Sequence, residues 1–405
     1  MILLLLVLAT LLAYGVWEYK GHQQRLKRIP LRIHVNGTRG KSSVTRLIAA
    51  GLRAGGIKTM AKTTGTLPRI IDFAGKEVPI VRYEKANIIE QVKIFRYFAK
   101  RKPEAVVVEC MAVLPEYQWL CEHRLIRSHI SVITNARLDH INEMGQFREQ
   151  IARSLSNTIP ERKPFGAPFS LKGEVKPPVV FTSEKANFPA MKEVADKQGV
   201  AIQRVGGGGI SPEELHKFGH IEHPANVGLA LAVCDWAGID RQTALDGMYR
   251  SHPDAGALKV ARCIEGEKEL LFVNAMAAND PESTLEIYHQ IKERFSPLGD
   301  FLVLLNSRAD RQDRSMQLIE VAAANMEFDK FILTGESVEK LLNLLPVYKI
   351  PRSKAVGIGR VAPDKAYHRL FDLIESRGTI FGIGNVGAGG LDIFNYFYKH
   401  RRQGS

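Results

Sequence analysis

Only four cysteines occur in 405 residues, Cys110, Cys121, Cys234 and Cys263, with no CxxC pair and no histidine at zinc-like spacing. That scarcity excludes a small disulfide-stapled scaffold and suits buried structural thiols in a reducing compartment. Long internal repeats and low-complexity tracts are missing as well, which excludes a solenoid and a wholly disordered chain. No RRM, zinc-finger or RGG pattern occurs, and Lys and Arg are scattered rather than interleaved with aromatics, so no nucleic-acid partner is expected. The chain is also short of acid: 43 Asp+Glu stand against 56 Lys+Arg, a formal net charge of +13. Surplus positive charge without nucleic acid suits a membrane surface or anionic substrates.

What is present is an ordinary globular balance, 45% hydrophobic and 24% charged. The length suggests two or three domains at roughly 100–200 residues each. The single long apolar run, Ile2 to Trp17, carries no charge, and sixteen helical residues reach about 24 Å against a hydrocarbon core of about 30 Å. A cleavable signal would place its basic residues before such a run. Here Lys20, Arg25, Lys27 and Arg28 follow it, so the positive-inside rule predicts a single-pass anchor in the cell membrane with the remainder cytoplasmic. The bland alternative is a helix docked on the protein's own core.

Behind residues 1–28, short β-branched runs alternate with helical patterns. Strands are expected at Leu31–Val35, Ala105–Cys110, His129–Thr134, Val179–Thr182 and Ala201–Val205, and helices at Ser42–Ala54, Asn87–Lys100 and Pro224–Ala237. A second series has strands at Leu270–Asn274, Phe301–Asn306, Phe331–Thr334 and Thr379–Gly382, with helices between them. The fold class is therefore α/β, with a parallel-sheet central domain at 29–255 and a smaller Rossmann-like domain at 256–405. The segments 160–178 and 206–209 read as surface loops.

Directly after the first strand comes Asn36-Gly37-Thr38-Arg39-Gly40-Lys41-Ser42-Ser43, followed by a helical pattern. A glycine turn between strand and helix aims unpaired N–H groups and the positive helix end at one anion. In such a loop Lys41 reaches the β- and γ-phosphates of ATP and the Ser42 hydroxyl ligates Mg²⁺. A strict Walker A loop needs Gly at position 35, which is Val35, so this is the shorter GxxGKS form.

Loops of this short form resemble those of the Mur ligase superfamily, which makes amide bonds with ATP. Other segments are similar to its motifs in the same order. Thr134-Asn135 and Asp139-His140 resemble the "TN…DH" element, and Glu109 resembles a carboxylate that binds metal near the γ-phosphate. Thr63-Thr64-Gly65-Thr66 looks like the loop facing the phosphates, and Asn226 like the adenine-side Asn. Residues 278–283 and 308–311 resemble the C-domain linker and "RD" elements. The poly-γ-glutamate synthase branch matches over almost the whole length, through NGxRGKS, KTTGT (62–66), ECMAV (109–113), AAND (277–280) and NxRADRxDR (306–314).

The resemblance implies a P-loop central domain and ATP-driven polymerisation of glutamate through γ-carboxylates by way of an acyl phosphate. It implies ATP with Mg²⁺, or Mn²⁺, and small membrane subunits of the CapC/CapA type beside glutamate and the growing polymer; a homo-oligomer stays open. Catalytic roles fall on Lys41, Glu109, His140, Arg308 and Asp310, and metal ligation on Ser42, Glu109 and His140. Nucleotide contacts fall on Gly37, Thr38, Arg39, Gly40, Lys41, Ser42, Ser43, Thr64, Asn226, Arg308 and Arg311. Substrate contacts fall on Asn279, Asp280 and Arg314, with Asp280 facing the substrate amine at a domain interface. Two family features are missing. Glu149–Ser156 has no Lys to help hold a second metal, and Gly256-Ala257 replaces the usual Gly-Arg step.

Plainer readings exist for these residues. Glu109 would serve as a strand-end partner of a Lys, His140 as a loop residue satisfied by backbone, and residues 308–314 as a solvated ion-pair network. Competing functions are a P-loop ATPase energising transport, and another Mur-like ligase of folylpolyglutamate or cyanophycin type.

Overall fold

The computed structural model describes residues 1–402 except 66–67, 83–86, 164, 167–168, 172–173, 219, 221, 254–257, 277, 279 and 295–297, and leaves the side chains of 171, 293 and 294 undescribed. It divides into two compact units, Met1–Asp254 and Ala255–Ser405.

The first unit opens with helix α1, Ile2–Lys27. The helix does not stop with the apolar run: its 26 residues rise about 39 Å, the last ten of them carrying Glu18, Lys20, Arg25 and Lys27. By length and composition α1 is a candidate membrane span, and its apolar window is not buried by the protein itself. Its last turns are packed instead, with His22 and Leu26 buried. Docking on the core therefore describes only the C-terminal end of α1.

The described residues of this unit form ten strands: β1 Leu31–Asn36, β2 Thr59–Thr63, β3 Arg69–Ile71, β4 Glu77–Pro79, β5 Ala105–Glu109, β6 Ile130–Ile133, β7 Ser170–Leu171, β8 Glu174–Val175, β9 Val179–Thr182 and β10 Ala201–Arg204. Eight of them lie in the order β10-β9-β6-β1-β5-β2-β3-β4, while β7 and β8 pair separately as a hairpin inside the segment expected to be loop. Pairing is parallel from β10 to β2 and antiparallel from β2 to β4. Helix α2, Lys41–Ala54, packs Val44, Leu47 and Ile48 on one face of the sheet, where Leu31, Ile33 and Val35 also point. Helix α3, Glu90–Arg101, lays Ile94, Phe95 and Phe98 on the other face.

Strand β1 is buried on both faces although it alternates apolar and polar residues. Each polar side chain finds partners below the sheet. The Arg32 guanidinium donates to the carbonyls of Leu26, Ile29, Ile126, Arg127 and Phe165 at 2.7–3.0 Å. His34 meets the Glu122 carboxylate at 2.8 Å, and Asn36 donates to Gln118 at 2.9 Å. Satisfied partners are what make such burial tolerable. All four cysteines are free and buried.

The second unit carries β11 Lys259–Glu265, β12 Lys268–Asn274, β13 Asp300–Ser307, β14 Lys330–Gly335, β15 Ala355–Gly359 and β16 Arg377–Gly384. Their order is β11-β12-β16-β13-β14-β15, antiparallel only at β11–β12. The expected strands all form, while β2, β3, β4, β7, β8, β11 and β15 lie outside the expectation.

Candidate active site

The phosphate-type loop lies at the carboxyl end of β1, the side of a parallel sheet where ligands bind. Its two glycines are required by geometry. Gly37 has φ of 130°, and a Cβ there would sit 2.0 Å from Thr134 Oγ1. Gly40 has φ of 79° and starts α2; a Cβ there would sit 2.7 Å from Asn226 Oδ1. The residues after β6 brace the loop from the side. Thr38 N–H donates to the Asn135 carbonyl at 3.0 Å, Thr38 Oγ1 to Asn135 Oδ1 at 2.7 Å, and Arg39 N–H to the same Oδ1 at 3.2 Å. Lys41 Nζ folds back over the loop, donating to the Gly37 carbonyl at 2.6 Å and the Thr38 carbonyl at 3.4 Å. Lys41, Ser42 and Ser43 remain partly exposed, so the first turn of α2 and its N–H groups are open to an anion.

A carboxylate completes this corner. Glu109, at the end of β5, is 2% exposed and accepts from Ser42 Oγ at 2.8 Å and from Thr64 N–H at 2.7 Å through one oxygen. The Thr64 turn is held in turn by Arg82, whose Nη2 donates to Thr64 Oγ1 at 3.4 Å. Glu90, the first residue of α3, binds Arg82 at 2.6 and 3.0 Å and Lys62 at 3.0 Å. Burial presses the Lys62 ammonium below its ordinary range, and the Glu90 carboxylate opposes that shift. The expectations from sequence missed Arg82 and Glu90, which lie outside any motif; only the chain's path around β2 brings them in.

His140 precedes a short helix, Ile141–Met144, with φ of 49°. Its N–H donates to Asp139 Oδ1 at 3.1 Å, and Asp139 Oδ2 lies 3.3 Å from Arg39 Nη2. Arg39 thus ties the Asp139-His140 pair to the loop. Asn226, on the helix Pro224–Trp236, lies against Gly40 and donates to Glu222 Oε1 at 2.8 Å. One corner of the first unit therefore gathers residues 37–43, Thr64, Glu109, Asp139, His140 and Asn226.

Among the described residues no cluster of three or more His, Cys, Asp and Glu forms. The adjacent Ser42 hydroxyl and Glu109 carboxylate are hard oxygen donors that fit a divalent cation keeping several waters, as Mg²⁺ and Mn²⁺ do. The open helix start with Lys41 fits a polyphosphate.

The remaining expected residues belong to the second unit. Arg308 follows β13 and binds Asp310 through two hydrogen bonds at 2.7 and 3.0 Å, both side chains well exposed. Arg311 is exposed and Arg314 half-buried on the helix Gln312–Asn325. Asp280 is buried, and its Oδ1 accepts from Ser283 N–H at 2.9 Å, capping the helix Pro281–Arg294. Asn279 lies outside the described residues.

Residues 35–158 match the Mur ligase middle domain, and residues 260–400 match the poly-gamma-glutamate synthase CapB C-terminal domain. The chain is 35% identical over 379 residues to the capsule biosynthesis protein CapB of Bacillus anthracis, covering 93% of this chain and 78% of that protein. It is 35% identical over 386 residues to the PGA synthase CapB of Bacillus subtilis, covering 95% and 94%. The chain belongs to the CapB family. The expected resemblance and fold are thereby borne out. A solved bifunctional folylpolyglutamate synthase/dihydrofolate synthase from Yersinia pestis, complexed with AMPPNP and Mn ion, shares the fold with a TM-score of 0.66 at 15% identity, covering 94% of this chain and 92% of that one. CapB membership also accounts for the second unit, whose matched region spans β11 to the C-terminal helix Gly390–Lys399.

Proposed function

We propose that this CapB-family protein is an ATP-dependent amide ligase that polymerises glutamate through its γ-carboxylates. The observation that carries the site is the Ser42–Glu109 contact at the open start of α2, beside Lys41. The two curated relatives carry the substrate: one is named a PGA synthase, the other a capsule biosynthesis protein. The Yersinia pestis structure, with AMPPNP and Mn ion, supports a nucleotide and a divalent cation.

A carboxylate does not acylate an amine, because oxide is too poor a leaving group. Transfer of the γ-phosphoryl from ATP to a carboxylate oxygen gives an acyl phosphate and ADP. The incoming amine nitrogen then forms the C–N bond, the C–O bond to phosphate breaks, the amine gives up its proton, and phosphate departs with one former carboxylate oxygen. Such transfer depends on positioning and charge neutralisation. In this reading Lys41 swings from the Gly37 and Thr38 carbonyls onto the β- and γ-phosphates, which also meet the N–H groups of residues 37–43. Mg²⁺, with Mn²⁺ as the alternative, would be held by Ser42 and Glu109 with His140 and would offset phosphate charge. Thr64 faces the phosphates, and Asn226 the adenine side. Arg308 and Arg311 bind phosphate or carboxylate, and Asp310 fixes the Arg308 fork. Asp280 and Arg314, with Asn279, receive the incoming glutamate.

The anchor reading extends from α1: the catalytic region is cytoplasmic, held at the cell membrane beside small subunits of the CapC/CapA type. Residues 29–255 serve as the nucleotide domain and 256–405 as the amino-acid-receiving domain. Glutamate labelled with ¹⁸O in the γ-carboxyl tests the route. One label per turnover in the released phosphate is expected, and unlabelled phosphate would contradict the acyl phosphate.

A further inference from the structure

Away from the phosphate loop, the first unit contains a second concavity of about 280 Å³. It lies along the C-terminal half of α2, under the β3–β4 turn and beside the end of the helix Arg241–Tyr249. Its walls include Arg46, Arg53, Arg250 and His252, with Phe73 at its side and Glu77 as the carboxylate among its lining residues. Arg53 is twelve residues along α2 from Lys41, a rise of about 18 Å, so this is not an extension of the phosphate site. The close floor is sequence-determined: a Cβ on Gly247 would lie 2.5 Å from the Ala50 carbonyl oxygen, so only glycine lets the two helices meet there.

The charges in this pocket do not balance internally. Glu77 is engaged by Arg46 at 2.8 and 3.1 Å. Arg53 Nη1 is buried and has no hydrogen-bond partner among the described residues. Burial pushes its guanidinium below the ordinary range, with Asp72 and Glu77 supplying only partial compensation. Arg250, at the end of its helix, is exposed toward solvent. A partly buried guanidinium with an unmet donor, flanked by two more, is a receptor for an anion that can accept a planar fork.

The backbone indicates which anion. The pocket is built at the C-terminal ends of two helices, α2 and Arg241–Tyr249, where carbonyl ends carry partial negative charge. That field disfavours every anion in proportion to its charge, so it weighs more against a compact, multiply charged phosphate than against single carboxylates spaced apart and held by guanidiniums. A γ-linked glutamyl chain presents one free α-carboxylate per residue. The volume lies near the lower end of the roughly 300–1,000 Å³ of ligand pockets, room for a short stretch of chain rather than a coil.

We propose that this arginine pocket binds the α-carboxylates of a γ-linked glutamyl chain, holding product apart from the phosphate loop. The substrate class rests on the glutamate-polymer reading above, but its test does not require turnover. A synthetic γ-linked glutamate pentamer is titrated calorimetrically into the detergent-solubilised full chain without nucleotide, beside free glutamate and tripolyphosphate. The pentamer binds and free glutamate at least tenfold more weakly, while tripolyphosphate, which the phosphate loop takes, binds equally well to Arg53→Gln. Arg53→Gln and Arg250→Gln each weaken the pentamer at least tenfold, with circular dichroism and thermal unfolding confirming the fold; Arg250, being exposed, serves if Arg53→Gln misfolds. Wild-type-like pentamer affinity in folded variants, or tripolyphosphate binding that falls in Arg53→Gln as much as the pentamer's does, overturns the proposal. Pentamer binding lost in the variants, from a protein that makes no polymer, keeps the pocket and removes the synthase reading; polymer synthesis without pentamer binding does the reverse.

Discussion

Ser42 Oγ and Glu109 Oε2 lie 2.8 Å apart although 67 residues separate them in the chain. The contact exists because β1 and β5 are parallel neighbours, with Val35 level with Glu109, so the loop leaving one strand meets the carboxylate ending the other. Thr64 N–H, from the end of β2 on the far side of β5, binds the same oxygen at 2.7 Å. Three consecutive parallel strands thus deliver a hydroxyl, a carboxylate and a turn to one point.

Metal dependence follows from that corner. Ser42→Ala and Glu109→Gln each raise the divalent-cation concentration for half-maximal activity by at least about tenfold, a loss typical even of groups behind the ligands. His140→Ala does the same. Titration of Mg²⁺ at saturating ATP reads all three, and an unchanged requirement in Glu109→Gln would remove it from the metal site.

Gly40→Ala strains a position with φ of 79° and drives a methyl into Asn226, whose Oδ1 lies 2.7 Å from the new Cβ. Nucleotide affinity falls at least tenfold while circular dichroism stays native. Gly56 also has positive φ, 83°, but faces open space. Gly56→Ala therefore keeps nucleotide affinity, which separates backbone strain from loss of the cradle.

Arg32→Met leaves the carbonyls of Leu26, Ile29, Ile126, Arg127 and Phe165 without their shared donor in a buried place. A loss of about 3 kcal/mol in urea unfolding is expected. A loss below about 1 kcal/mol would mean that water replaces the guanidinium.

The His34–Glu122 pair predicts a pH dependence. Burial alone would lower the His34 pKa, but its contacts with Cys110 and Glu122 outweigh this and raise it from 6.5 to about 9. Burial would raise Glu122, but His34, with His123 and the Ser128 N–H, holds it below the ordinary 4.5. A raised histidine gives stability that is full below pH 6.5 and lost as pH climbs through about 9. A lowered carboxylate gives stability present above 4.5 and lost at more acid pH. The urea midpoint therefore falls between pH 6.5 and 9, and His34→Gln flattens that fall.

Much of this site is legible in the chain itself. The strand–glycine turn–helix pattern fixes the loop because local sequence alone decides it, and Gly37 and Gly40 prove to be geometric necessities. Strand β1 is less transparent. Leu-Arg-Ile-His-Val-Asn alternates like a half-exposed strand, yet Arg32, His34 and Asn36 are buried on partners 82 to 133 residues away as well as close by. Arg82 and Glu90 escape notice for the same reason, since long-range packing gives them their role. The roles of Arg308, Asp310, Arg311 and Arg314 are the least determined by sequence, because a charge-dense loop after a strand reads equally as an ion-pair surface. Its Arg308–Asp310 pair carries both possibilities.

The most direct measurement is a matched count of ADP, phosphate and γ-amide bonds made by purified wild type and Lys41→Ala with ATP, Mg²⁺ and each glutamate enantiomer, with and without small membrane subunits. Wild type should release ADP only when glutamate is present, one ADP and one phosphate per bond formed. Lys41→Ala should lose at least about a hundredfold in rate while remaining folded. ATP hydrolysis independent of glutamate with no amide product, or unchanged turnover in Lys41→Ala, would contradict the ligase assignment.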